Sequence, residues 1–176
     1  MVKKSFYKNL GFTLIELLVV ISIIGFLATA SLVAFNSARM KARDARRLAE
    51  IKSLQKALQL YYNENSSYPI SSWLYSYSPN WLNNSNSLAL ALKPYIKTLP
   101  IDPLNQSITP YSGGYSYGYF ASNYGTSGQW YMIVFRLEQL NHPYQQQDGV
   151  RACNGQYFHY GNGSNGIITI GGNCNE

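Results

Sequence analysis

Apolar residues along this chain change their spacing twice. From Leu17 to Phe35 there is no charged side chain, and Leu17-Leu18-Val19-Val20-Ile21 is apolar at every position. A helix that is apolar on all sides needs lipid or other apolar helices around it. Phe12 to Phe35 would make a helix of about 36 Å, enough to cross the roughly 30 Å hydrocarbon core of a bilayer. Further on, Leu48, Ile51, Leu54, Leu58, Tyr61 and Tyr62 recur at steps of three and four. That is a single helical stripe, with Arg43, Arg46, Arg47, Glu50, Lys52 and Lys56 at other positions. No proline falls between Phe12 and Glu64, and Gly25 is the only glycine there. The pattern predicts one continuous helix of roughly 50 residues, about 80 Å long. Asn63, Asn65, Ser66, Ser67 and Pro69 end it, and its amphipathic half offers a face for a globular domain.

The period then shortens. Ser85-Asn86-Ser87 can cap a short helix, Leu88 to about Lys93, with Pro94 disturbing its end. Thr98 to Pro103 must be extended or turned. Four aromatic or β-branched runs bounded by Gly, Asn or Ser read as strands: Tyr115–Phe120, Trp130–Leu137, Gln156–Tyr160 and Ile167–Ile170. The last two flank the loop 161–166, so they are expected to form a hairpin. The predicted fold class is α+β, a long N-terminal helix packed on a small antiparallel sheet. The predicted divisions are a leader at 1–11, the long helix at 12–65 with 12–35 as membrane span or filament core, and a globular domain at 66–176.

Charge sharpens that division. The net charge of +6 lies entirely in residues 1–69, while residues 70–176 are neutral, rich in Asn, Ser and Gly, and hold twelve of the sixteen tyrosines. Two cysteines, Cys153 and Cys174, cannot build a four-ligand zinc site, and His142 and His159 are isolated. In an exported domain the cysteines read as a disulfide; otherwise they are two separate thiols. Nucleophile elbow, phosphate loop and metal-ligand spacing are all missing from the sequence. Asp102, Glu138 or Asp148 could serve a two-carboxylate hydrolase in principle, but no spacing pairs them. Asp102 and Asp148 are also thin candidates for a calcium site. The chain therefore reads as a non-enzyme, with no cofactor expected beyond that calcium possibility.

The first residues carry a different kind of signal. Lys3, Lys4 and Lys8 precede Gly11 with no acid among them, and Gly11 comes before the apolar run rather than after it. A secretory signal peptide has the opposite order. Gly11-Phe12-Thr13-Leu14-Ile15-Glu16-Leu17-Leu18-Val19-Val20, the helix continuing to Tyr61-Tyr62, the exit Ser67-Tyr68-Pro69 and Leu99-Pro100-Ile101-Asp102-Pro103 together closely resemble a type IV prepilin or pseudopilin. The motif covers about twenty residues and is specific; the helix-then-sheet layout extends the likeness less specifically. The resemblance implies cleavage between Gly11 and Phe12 by a membrane-embedded prepilin peptidase, N-methylation of Phe12, and an assembly role for Glu16. It also implies that Cys153 and Cys174 bound a disulfide-closed region. Many pilins carry a proline about twenty residues into the mature helix; Ser31-Leu32-Val33-Ala34 has none.

Physical chemistry gives these residues reasons of their own. Gly11 lets the chain unwind locally for an intramembrane protease. A carboxylate inside an apolar helix costs up to about 2.5–3.5 kcal/mol at mid-bilayer, so Glu16 needs a partner. Cutting after Gly11 makes one, the Phe12 ammonium, four residues away on the same helix face. Pairing with a neighbour's Phe12 would align subunits axially; a carboxylate reaching the headgroups is the plainer alternative. Arg39, Lys41, Arg43, Arg46 and Arg47 form a basic cluster whose plainest reading is a solvated helix face. Anionic lipid, acidic neighbours in a filament, or DNA phosphates are the functional readings. The positive-inside rule taken alone would leave the domain in the cytoplasm, whereas the leader and the paired cysteines favour export. The leading expectation is a structural subunit of a type IV pilus-like filament, with the domain outside the cytoplasm. Its partners are copies of itself or related pilins, the prepilin peptidase and a membrane assembly platform, with nucleic acid disfavoured. The alternatives are a pseudopilin of a secretion or DNA-uptake machine, and a permanently anchored adhesive domain.

Overall fold

A computed structural model describes residues 11–82, 87–122, 124–140, 142–144, 149–161, 165–172 and 174. Residues 1–10 of the expected leader at 1–11, the Ser85 cap, Asp148 and residues 162–164 of the 161–166 loop lie outside these residues. Contacts divide the chain into two compact units, Met1–Arg39 and Met40–Glu176. The architecture is α+β, a long N-terminal helix followed by a small antiparallel sheet.

Helix α1 spans Leu14–Asn65. It ends where Ser66 takes a left-handed backbone, φ 54°, and donates its N–H to the Tyr62 carbonyl at 2.7 Å. That conformation turns the chain out of the helix, and Pro69 prevents its resumption. Within the second unit the predicted stripe is the buried face: Ile51, Leu54, Ala57 and Leu58 are almost fully buried, with Leu48, Tyr61 and Tyr62 at their margin. Fully burying one such leucine stabilises the fold by about 1.5–3 kcal/mol.

Strand β1 is Ser71–Tyr75, followed by the short helices α2, Pro79–Leu82, and α3, Ser87–Leu92. The strands β2, Gly118–Ala121, β3, Tyr131–Arg136, β4, Val150–Arg151, β5, Tyr157–Phe158, and β6, Ile167–Gly172, complete the fold. One sheet has the order β1-β2-β3-β6, all antiparallel, and β4 pairs with β5 as a separate ribbon. Sequence pattern alone reads 70–82 as turns; in the structure Leu74 enters the core beneath α1 and Trp81 anchors α2, fully buried with its indole N–H on the Pro100 carbonyl at 2.9 Å.

The expected hairpin between 156–160 and 167–170 does not form. Strand β6 has both faces buried and pairs along six residues with β3, which is likewise buried on both faces. A two-residue β5 could not match that apolar neighbour. It folds back instead on β4 around Ala152–Gln156, where Gly155 takes φ 82°. This ribbon lies over the sheet face opposite α1, packing Val150, Ala152 and Phe158 on Phe120, Trp130 and Met132.

Candidate functional site

The N-terminal segment is bare within its own unit. Phe12 is 81% exposed, Leu14 82% and Phe26 74%, and a side chain added at Gly11 or Gly25 would meet nothing within 4 Å. The helix is long and apolar enough to cross a membrane. So much exposed hydrocarbon requires lipid or neighbouring helices.

Glu16 is not idle in the uncut chain. Its Oε2 accepts the backbone N–H of Thr13 at 2.8 Å and the Thr13 hydroxyl at 2.8 Å, while the Glu16 N–H points back to Thr13 Oγ1 at 3.3 Å. This is a capping box, in which residues three apart satisfy each other's orphan groups at a helix start. Thr13 is the partner that the expectation for Glu16 missed. Its signal, Thr followed three residues later by Glu, was there to read. The Phe12 ammonium awaits cleavage, since in the intact chain that nitrogen is an amide.

The basic cluster is where the structure departs furthest from expectation. Arg47 is fully buried. Its Nε and Nη2 hold both oxygens of Asp102 at 2.7 and 3.2 Å, and its Nη1 reaches Asp44 at 2.8 Å and Glu138 at 2.7 Å. Arg43 forms a fork on Glu138 at 2.7 and 2.5 Å. Arg46 pairs with Glu50 at 2.7 Å, and Glu50 also accepts the Tyr117 hydroxyl at 2.6 Å. The solvated-face reading is therefore wrong for Arg43 and Arg47, though Arg39, Lys41 and Arg46 are exposed. Arg43 and Arg47 turn inward within the second unit because the loop carrying Asp102 and the chain after β3 carrying Glu138 close over them. Arg47 bridges α1 to both.

The network is well satisfied. Asp44 also accepts the N–H groups of Glu138 and Gln139 at 3.0 and 2.9 Å, and Asp102 those of Leu104 and Asn105 at 2.8 and 3.3 Å. The Arg47 guanidinium lies 4.8 Å from the centre of the Tyr115 ring. Burial alone would lower the proton affinity of Arg47, but the hydrogen bonds to Asp102, Glu138 and Asp44 outweigh it and raise that affinity. The Arg43 hydrogen bonds hold the Glu138 carboxyl below its ordinary value against the opposing effect of burial. Asp102 and Glu138, which no sequence spacing paired, meet on one cation. A carboxylate pair neutralised in this way is a structural bridge and offers no free base. Among the described residues no cluster of three or more His, Cys, Asp or Glu is arranged to hold a metal.

Cys153 and Cys174 form a disulfide, with Cα atoms 5.0 Å apart. It ties the turn of the β4–β5 ribbon to the chain just after β6, not the two ends of one hairpin. Beside it the Cys174 N–H donates to the Arg151 carbonyl at 3.3 Å.

Comparison with known proteins fits the bare helix and its motif. Residues 7–32 match the family model described as the prokaryotic N-terminal methylation motif. The type II secretion system core protein G of Vibrio cholerae serotype O1 is 31% identical over 112 residues, which cover 57% of this chain and 68% of that protein. The chain belongs to the type IV prepilin and pseudopilin family. The core protein G of Pectobacterium carotovorum subsp. carotovorum is 38% identical over 66 residues, 38% of this chain. There the match spans only 42% of the relative's length. No solved structure is significantly similar to the chain. Prepilins and pseudopilins are structural proteins, and the matched segment, residues 7–32, contains Gly11, Phe12 and Glu16.

Proposed function

We propose that this pilin-like subunit is cleaved between Gly11 and Phe12, N-methylated at Phe12 and polymerised through residues 12–35 into a type IV pilus-like filament. The observation that carries the reading is the exposed apolar surface between Phe12 and Phe35 within and just beyond a matched methylation motif. Lipid covers that face before assembly and neighbouring helices cover it afterwards. Glu16 then exchanges its Thr13 contacts for the Phe12 ammonium of an adjacent subunit. The partners are copies of this chain or related pilins, a prepilin peptidase and a membrane assembly platform, with the domain outside the cytoplasm. The disulfide supports that orientation, since such bonds persist in oxidising compartments.

A second reading, the short pseudopilus of a secretion machine, is favoured by one observation. Both relatives named above are core proteins of type II secretion systems.

Intact mass and N-terminal analysis of the protein from its own membranes tests the common part. A chain beginning at methylated Phe12 is expected, and an intact Met1 terminus overturns the proposal. Efficient filament formation by Glu16→Ala would remove the assembly role. Surface filaments recovered by shearing distinguish the pilus from the pseudopilus.

A further inference from the structure

The sheet face opposite α1 is only partly covered by the β4–β5 ribbon. Beside the ribbon lies an aromatic strip that the filament reading does not use. Trp73 and Tyr75 alternate with the buried Leu74, so both project from this face. Tyr77 stacks on Tyr75 with ring centres 5.4 Å apart. Tyr111, from the 3-10 turn Pro110–Ser112, lies 5.3 Å from Trp73 and 5.4 Å from Tyr160. Gly118 makes room: a Cβ there would stand 3.1 Å from Trp73 and 3.4 Å from Tyr75, so the rings rest against bare backbone. Trp73, Tyr75, Tyr77 and Tyr160 stay half-buried and Tyr111 is exposed.

Two properties define what this strip would bind. First, it is without charge. Residues 65–92, 103–135 and 152–175, which supply the strip, contain no Lys, Arg, Asp or Glu. Arg136, the cation beside the strip, is half-buried and donates to the Gly113 and Asn165 carbonyls, so the rings themselves offer a polyanion or a charged peptide no counter-ion. Second, its polar atoms are not used up. Tyr75 and Tyr111 share one hydrogen bond at 2.9 Å. Among the described residues, the indole N–H of Trp73 and the hydroxyls of Tyr77 and Tyr160 meet no hydrogen-bond partner. Aromatic faces ringed by spare N–H and O–H groups suit a ligand with apolar C–H faces and many neutral hydroxyls. We infer that the Trp73–Tyr75–Tyr77–Tyr111–Tyr160 strip is a binding site for neutral polysaccharide. Sugar rings would lie on the aromatic rings while their hydroxyls bond the free indole and phenol groups. The site would serve an assembled filament and an anchored monomer alike.

The test uses the full-length protein in detergent, with soluble cellulose and chitin oligosaccharides and dextran as probes. Binding is read by quenching of tryptophan fluorescence and by retarded migration in polysaccharide-containing native gels. At least one probe should bind, and 0.5 M salt (about a 4 Å Debye length) should not weaken it, because the rings and hydroxyls that hold the sugar are neutral. Tyr77→Ala and Tyr111→Ala should each weaken binding about tenfold, the scale of one lost aromatic contact. Tyr111→Phe, which keeps the ring, should bind more tightly than Tyr111→Ala. Near-ultraviolet circular dichroism of each variant shows whether the fold is intact. Failure of all three probes to bind overturns the inference, as does binding unmoved in folded Tyr77→Ala and Tyr111→Ala. So does loss of self-association, not of sugar binding, in those variants, which would make the strip a contact between copies of the chain.

Discussion

Arg47→Met should be among the most damaging single substitutions in the domain. Methionine has a comparable length and no polar group, so the change is mainly one of charge. In the intact protein Arg43, Asp44, Arg47, Asp102 and Glu138 form a cluster with two cations and three carboxylates. Removing Arg47 leaves one cation for three. Glu138 keeps the Arg43 fork, and Asp44 keeps two backbone N–H donors. Asp102, whose side chain is 0% exposed, keeps only the N–H groups of Leu104 and Asn105 and loses its counter-ion. Breaking a buried pair on one side typically costs about 3–5 kcal/mol. The lower part of that range fits, since two of the three carboxylates retain donors. For a chain of this size the loss lowers Tm by roughly 10 °C. The assay is thermal unfolding of the full-length protein in detergent, followed by near-ultraviolet circular dichroism. Adding Asp102→Asn removes the orphaned charge but keeps an acceptor for both N–H groups, so Arg47→Met/Asp102→Asn should be more stable than Arg47→Met alone. A loss below about 1 kcal/mol for Arg47→Met, or strict additivity in the double variant, would refute the buried bridge.

Other tests bear on other parts of the molecule. Because the Glu138 carboxyl is depressed in the folded state, chiefly by Arg43, its stabilisation is complete above its ordinary value of 4.5 and fades as pH falls through the depressed value. Tm of the wild type should therefore drop below about pH 4.5, and Glu138→Gln should lower Tm at neutral pH and flatten that acid drop. Replacing both Cys153 and Cys174 by Ala opens a cross-link across a separation of 21 residues and should cost roughly 3 kcal/mol in a denaturant titration. Gly125→Ala should destabilise by about 1–3 kcal/mol, since the residue sits at φ 101° and its Cβ would stand 2.6 Å from the Cys153 Cβ. Thr13→Val removes the hydroxyl from the capping box, and helicity of residues 12–35 in micelles, read by hydrogen exchange, should fray at the first turn by about 0.5–2 kcal/mol.

Much of this protein was legible from spacing alone. The apolar run, the stripe from Leu48 to Tyr62 and the breakers from Asn63 to Pro69 determine a long helix, because helical periodicity and proline act locally. The motif around Gly11 and Glu16 is equally local, and so is the Thr13–Glu16 capping box. The α+β class and all four expected strand regions, three in the sheet and one in the ribbon, follow from composition and alternation, although their ends shift by a few residues. What the tertiary structure decided were the pairings. A one-dimensional pattern cannot say that β6 joins β3 while β5 turns back on β4, because strand partners are chosen by which apolar faces must be buried together. It also cannot show that Ser71–Tyr75 is an edge strand, since Leu74 becomes a core residue only beneath α1. Most of all, it cannot show that Arg47 lies inside. By sequence, Arg47 is one cation in a basic run; only when distant Asp102 and Glu138 are brought onto its guanidinium does burial become possible, because a charge leaves water at tolerable cost only where its counter-charges are already waiting.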